Sequence, residues 1–180
     1  MDEKFLYHIW DEGHLAPNLK TVSGKDLKVN YQGQFNTFRG PDFINAIISI
    51  DGEDLQGAVE IHKNTQDWIK HSHQEDVFYN QVILHIVLHN DSPLPFTMKE
   101  NGELVEILEL KNQLSDEIQK LLADIGDKNL ASGSDYCDLL SAIDNDRLLS
   151  ILTISGKQRF MIKVRRFNAS LALSDFDQIL

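Results

Sequence analysis

Asp42, Glu60 and His62 are the residues whose types and spacing could hold a divalent metal ion. Asp42 follows Pro41 in the turn-like stretch FRGPDF, and Glu60 and His62 stand two apart in GAVEIH. On a strand, side chains alternate between faces, so Glu60 and His62 share one side while Val59 and Ile61 take the other. Between INAIISI and EDLQGAVEIH lies Asp51-Gly52, a hairpin-turn signal. A hairpin folded there carries Asp42 to the far end of the partner strand, within reach of the Glu60 face. Two carboxylates so close repel, and one has its pKa raised unless a cation sits between them. Mg²⁺, or Mn²⁺ in its place, takes carboxylate and water ligands, polarises phosphoryl oxygens and acidifies bound water. In this expectation Asp42 and Glu60 are the metal ligands. His62 is a neutral base or an electrostatic stabiliser.

Histidine distribution is a second signal. His62, His71, His73, His85 and His89 fall within one stretch, interleaved with Asp67 and Asp76. Such density permits a site of imidazole and carboxylate ligands. His71, Ser72 and His73 put two imidazoles on one side only if that segment is extended. No H-E-x-x-H or C-x-x-C pattern accompanies them. His85, inside an apolar run, reads as a hydrogen-bonded core histidine that could also reach the site from an adjacent strand, and His89 as a strand-end residue. Trp68 and Tyr79 read as core or lid aromatics, with stacking on a nucleobase as the alternative. Gln34 and Asn36 precede the GPDF turn and are placed to hold it by side-chain bonds to the backbone.

The elements that must position these groups can be read from periodicity. EKFLYHIW at 3–10 spaces Phe5, Leu6, Ile9 and Trp10 as an amphipathic helix, stopped by Gly13 and Pro17. DLKVNYQGQFN alternates as a strand, with Gly33 marking a bend or bulge. Residues 64–81 read as a loop followed by a short helix. VILHIVLH at 82–89 is apolar and β-branched almost throughout, as in a strand buried on both faces of a mixed sheet. ELVEILEL is either an edge strand or the first turn of the helix suggested by LSDEIQKLLADIG. GDKNLASGSDY has linker composition, and helices are expected near 138–152 and 156–172. The reading is therefore an α/β (α+β) core at 1–125, with a mixed central sheet flanked by helices, and a helical C-terminal segment at 126–180. That segment ends on DFDQIL without a capping signal, so either a chain cut from a longer protein or a natural end that packs onto something is expected.

Composition bounds the function classes. At 180 residues, 42% hydrophobic and 25% charged, the chain has a globular composition. A single cysteine, Cys137, forms no internal disulfide and fits a reducing compartment. No apolar run reaches membrane-span length, so a cytoplasmic location without membrane contact is expected. The net charge of −11 disfavours non-specific attraction to nucleic acid. Lys157, Arg159, Lys163, Arg165 and Arg166 crowd into GKQRFMIKVRRF, which reads first as a solvated helix face and otherwise as a basic patch that offsets the acidic remainder locally. No Gly-rich phosphate loop, dinucleotide fingerprint or G-x-S-x-G elbow is present.

The order Pro41-Asp42, hairpin, Glu60-Ile61-His62 resembles the signature of the PD-(D/E)xK nuclease superfamily. The resemblance implies a restriction-endonuclease-like core of strand, hairpin, strand, helix and strand, with VILHIVLH as the strand after the helix. It also implies metal-dependent phosphodiester cleavage, with Asp42 and Glu60 holding the metal. His62 stands where the family carries lysine, which orients or activates the attacking water. The sequences FLYHIW, GPDFINA, GAVEIH and DWIKHSHQEDVFYNQVILHIV further resemble an uncharacterised bacterial family, domain-of-unknown-function family 2851, over about the first 90 residues. Three functions stay open: a nuclease-like phosphodiesterase, a catalytically inactive interaction module, and a metal-binding hydrolase built from His62, His71, His73 and Asp76. For the module, a protein partner or a second copy of the chain is expected on the C-terminal helices.

Overall fold

In the chain's first helix, α1 (Glu3–Glu12), Leu6, Ile9 and Trp10 are buried at the spacing the sequence shows. Gly13 ends it at φ +70°: its N–H bonds Trp10 O at 3.1 Å, while the His14 N–H reaches back to Ile9 O at 2.9 Å. This pair of bonds is the Schellman arrangement, which needs a residue that tolerates left-handed backbone. The computed structural model describes residues 3–116, 118, 119 and 145–173, and the chain divides into two units, 1–118 and 119–180.

The first unit is of the α/β class, built on one mixed sheet. Its strands are β1 (Leu19–Lys20), β2 (Asp26–Tyr31), β3 (Gln34–Phe35), β4 (Phe43–Ile50), β5 (Glu53–Asn64), β6 (Val82–His89), β7 (Phe96–Met98) and β8 (Leu104–Glu109). Their order is β1-β2-β4-β5-β6-β8-β7, with β3 also paired to β4. Parallel pairing is confined to the centre, β5 with β6 and β6 with β8, and the other pairs are antiparallel. VILHIVLH thus forms a central strand, with Leu84, His85, Ile86 and Val87 buried, as its apolar run predicts. ELVEILEL is neither a sheet edge nor the start of a helix: β8 lies between β6 and β7, and Val105, Ile107, Leu108 and Leu110 are buried.

Two local devices set the geometry of β5. Asp51 and Gly52 both have positive φ, +49° and +85°, and join Ile50 to Glu53 in the two-residue turn that matches the strand twist. Further along, β4 carries an extra residue relative to β5, because Phe43 pairs with Val59 but Ala46 with Gly57. Asn45, at φ +58°, lies in this bulge. On the other side of β5, Gly57 lets β6 approach. A Cβ there would fall 2.5 Å from Ile83 Cγ2 and 2.6 Å from Gln81 O.

The crossover from β5 to β6 is not a loop followed by one short helix. The helical turn α2 (Asp67–Lys70) comes first, and 3-10 turns at His73–Glu75 and Val77–Gln81 follow. Trp68 anchors it, fully buried, with its indole N–H donating to Met98 O at 3.1 Å. In the second unit, α3 (Asn145–Leu173) is one uninterrupted helix where two were expected. Gly156 lies within it, since a single glycine costs a helix only about 1 kcal/mol. The linker at 126–136, Cys137, the segment at 138–144, most of LSDEIQKLLADIG and the C-terminal DFDQIL lie outside the described residues. Among the described residues no helix is long and apolar enough to cross a membrane.

Candidate metal centre

The bulge in β4 decides which side of the sheet Asp42 takes. A regular register counted from the Ile50–Glu53 pair would set Asp42 opposite Ile61, on the side away from Glu60. The extra residue shifts the count by one, so that Phe43 meets Val59 and Asp42 comes beside Glu60. The Asp42 N–H donates to Glu60 Oε2 at 3.0 Å, and the Ile61 N–H donates to Asp42 Oδ2 at 2.9 Å. Asn36 fixes the approach to this clasp. Its side chain donates to Pro41 O at 2.9 Å and accepts from the Phe38 N–H at 2.9 Å, while its own N–H bonds Asp42 O at 2.7 Å.

Parallel pairing of β5 with β6 sets Glu60 beside His85, so Glu60, His62 and His85 face one way. His62 Nδ1 lies 2.9 Å from His85 Nε2, and His62 Nε2 lies 3.1 Å from His71 Nδ1. The crossover brings His71 and His73 over the same spot by a route the sequence reading did not contain. Ser72 adopts left-handed backbone, φ +61°, and the reversal turns both imidazoles toward His62 without an extended segment. One ring nitrogen from each of His62, His71 and His73 lies within 4.8 Å of the other two. Glu60 Oε1 faces this group, 3.2 Å from His73 Nε2 and 3.5 Å from His62 Nε2. Aromatic rings wall it in. Tyr79 stacks on His73 at 3.7 Å between centroids, and Trp68 stands edge-on to His73 at 5.4 Å.

Burial dominates the electrostatics. It pushes Glu60 up to about 8 against the Asp42 N–H, which favours the charged form. Asp42 rises to about 7 through burial and the Glu60 charge, with the Ile61 N–H and the Tyr7 hydroxyl opposing. Burial, His73 and His71 hold His62 down to about 3, and burial also lowers His73 and His85. Two acids pushed toward neutrality beside imidazoles kept from protonating form a pocket rich in lone pairs, an environment that a cation stabilises.

Of the residues singled out from the sequence, Asp42, Glu60, His62, His71, His73 and His85 converge. Asp76 is engaged elsewhere: its carboxylate pairs with Arg39 Nη2 at 2.9 Å and caps the Phe78 N–H at 3.0 Å. Asp67 accepts from the Asn64 N–H and pairs with Lys70, and His89 is exposed at the end of β6. Tyr7 of α1 was missed. Its hydroxyl lies beside the Asp42 carboxylate, whose charged form it favours, and it lines a cavity of about 450 Å³ with Lys4, His8, Asp11, Phe35 and Phe43. Nothing in FLYHIW marks it, because its role comes from how α1 lies on the sheet.

No curated protein and no solved structure matches the chain. A family model described as "Protein of unknown function (DUF2851)" does match, and since it spans residues 3–178, nearly the whole chain that carries this centre, the protein belongs to that family.

Proposed function

We propose that the protein is a metal-dependent phosphodiesterase of the nuclease-like kind, with Asp42 and Glu60 as the ligands of a Mg²⁺ or Mn²⁺ ion. The observation that carries this reading is the clasp between Asp42 and Glu60 at the bulge of β4. Without a cation, two carboxylates buried this deeply and this close repel. Their all-oxygen donor set is the one hard divalent ions take. A bound ion supplies Lewis acidity to a phosphoryl oxygen and lowers the pKa of water.

The chain's own residues do the rest. The Ile61 and Asp42 amides fix both carboxylates, and Tyr7 orients Asp42 from the α1 side. Of the two roles expected for His62, base or electrostatic stabiliser, the second is favoured, because both of its nitrogens are engaged in the metal-free protein, by His85 and His71. The cavity beside Tyr7 offers aromatic faces from Phe35 and Phe43 and cationic or polar groups from Lys4 and His8, suited to a base and a phosphate. The order of strand, hairpin, strand, crossover and strand also supports this reading, although the crossover is made of short turns.

The test is cleavage of single- and double-stranded DNA and RNA with Mg²⁺ or Mn²⁺, at low salt so that weak electrostatic binding is retained. Metal-dependent cleavage that Asp42→Asn and Glu60→Gln abolish is the expected result. Cleavage that persists in both variants, or no cleavage of any substrate, overturns the reading. A second reading, a non-catalytic interaction module, is favoured by α3, where Leu149, Leu152, Phe160, Met161 and Phe167 are exposed.

A further inference from the structure

We infer that His62, His71, His73 and Glu60 Oε1 form a tetrahedral site for a borderline-soft divalent ion of the Zn²⁺ or Co²⁺ class, beside the carboxylate site for Mg²⁺ and sharing only Glu60 with it. Three observations carry it. The first is spacing. A tetrahedral ion at ~2.0–2.1 Å from its ligands sets them about 3.3 Å apart. His62 Nε2 to His71 Nδ1 is 3.1 Å, Glu60 Oε1 to His73 Nε2 is 3.2 Å and Glu60 Oε1 to His62 Nε2 is 3.5 Å.

The second observation is an unpaired donor atom. His73 Nε2 is buried with no aligned hydrogen-bond partner despite its nearness to Glu60. A buried polar atom without a partner costs about 1–3 kcal/mol, and coordination of an ion removes that cost. The third is the support behind the ligands. With Nε2 directed at the ion, His62 must carry its proton on Nδ1, which then donates to His85 Nε2 at 2.9 Å. Metal-bound histidines characteristically donate the other ring N–H in this way. His85 is thus a positioning residue. His71 is exposed and gives the ion a way in, while His62 and His73 are buried.

Ligand chemistry separates this site from the one proposed above. Three imidazoles and one carboxylate oxygen suit Zn²⁺ and Co²⁺, whereas Mg²⁺ avoids imidazole. The inference does not rest on the phosphodiesterase reading, because binding is measured without substrate.

The experiment is titration of the full chain with Co²⁺ and Zn²⁺, following Co²⁺ visible absorption, whose intensity distinguishes tetrahedral from octahedral coordination. A parallel titration uses a Trp10→Phe variant, in which Trp68, 5.4 Å from His73 and 5.1 Å from His85, reports Co²⁺ by fluorescence quenching. Expected are one strong tetrahedral Co²⁺ band, its displacement by Zn²⁺, and affinity at least about tenfold weaker in His71→Ala, the scale at which even outer partners of a metal site act. His71 is exposed, so that variant tests the ligand without disturbing the core. Asp42→Asn should leave the band intact, which separates failure of this site from failure of the carboxylate site. A weak octahedral spectrum, or Co²⁺ affinity unchanged in both His71→Ala and His73→Gln, overturns the inference.

Discussion

Asp42 and Glu60 are joined through the backbone: the Asp42 N–H donates to Glu60 Oε2 at 3.0 Å, while the Asp42 carboxylate accepts its own bond from the next amide, that of Ile61. Position and charge are therefore separable. In Asp42→Asn the side-chain oxygen still accepts from Ile61, but the repulsion with Glu60 is gone. We expect the metal-free variant to melt a few degrees higher than wild type, and Mn²⁺ no longer to raise its Tm. Cleavage should fall by about 10²-fold or more, the scale of losing one electrostatic group at a reacting centre. Thermal melts with and without Mn²⁺ check the first two expectations. A variant that melts lower and still responds to Mn²⁺ would show that the two charges do not oppose each other.

The metal-free protein should have a stability maximum near pH 6.5. Asp42 and Glu60 are raised to about 7 and 8, so above their unfolded values the folded state binds more protons than the unfolded chain, and stability falls as pH rises toward 8. His62, His73 and His85 are lowered, so below 6.5 the unfolded chain binds more protons there, and stability falls as the solution is acidified. Glu3 of α1 adds its negative charge to the same carboxylates, while Tyr7 and Tyr79, raised above the ordinary phenol value by burial and by those charges, stay protonated throughout this range. Denaturant midpoints between pH 5 and pH 8.5 in chelator check this, and a midpoint that climbs steadily to pH 8.5 refutes it.

Gly57→Ala should destabilise the fold by about 1–3 kcal/mol, the cost of forcing extra volume into a packed interior. The new methyl meets Gln81 O and Ile83 across the β5–β6 pair. That pair aligns Glu60 with His85, so the loss should extend to metal affinity. Urea unfolding and Co²⁺ titration of the same variant measure both. Unchanged stability would mean that the strands separate there freely.

Asn36→Ala removes the bonds to Pro41 O and from the Phe38 N–H at a partly buried turn. At about 0.5–1.5 kcal/mol per bond, the global effect is modest. Mn²⁺ affinity should drop more than stability does, because the turn carries Asp42. A Tm loss with unaltered Mn²⁺ response would assign Asn36 to the fold alone.

Hydrophobic periodicity made α1, the β4–β5 hairpin and the central β6 legible, since each either buries one face or is buried on both. The likeness of GPDFINA and VEIH to a family of unknown function was legible as well. Three features were not. The bulge at Asn45 depends on a single left-handed residue in an otherwise regular β sequence, and without it the alternation rule sends Asp42 to the wrong side. The reversal at Ser72 turns H-S-H into a clustered pair against ordinary backbone preference. The unbroken α3 shows that one glycine in a long helical pattern is a weaker stop than it reads.

The two-residue turn and the single extra residue of β4 also constrain how the length of this hairpin can vary among relatives. Each added rung of the ladder takes one residue from each strand, so between Asp42 and Glu60 insertions or deletions must come in twos to keep both carboxylates on one side. An odd change requires either a second irregularity or loss of the existing one. Spacing parity between the aspartate and the glutamate therefore predicts which relatives retain the acidic pair as a unit, even where the residues between them share no identity.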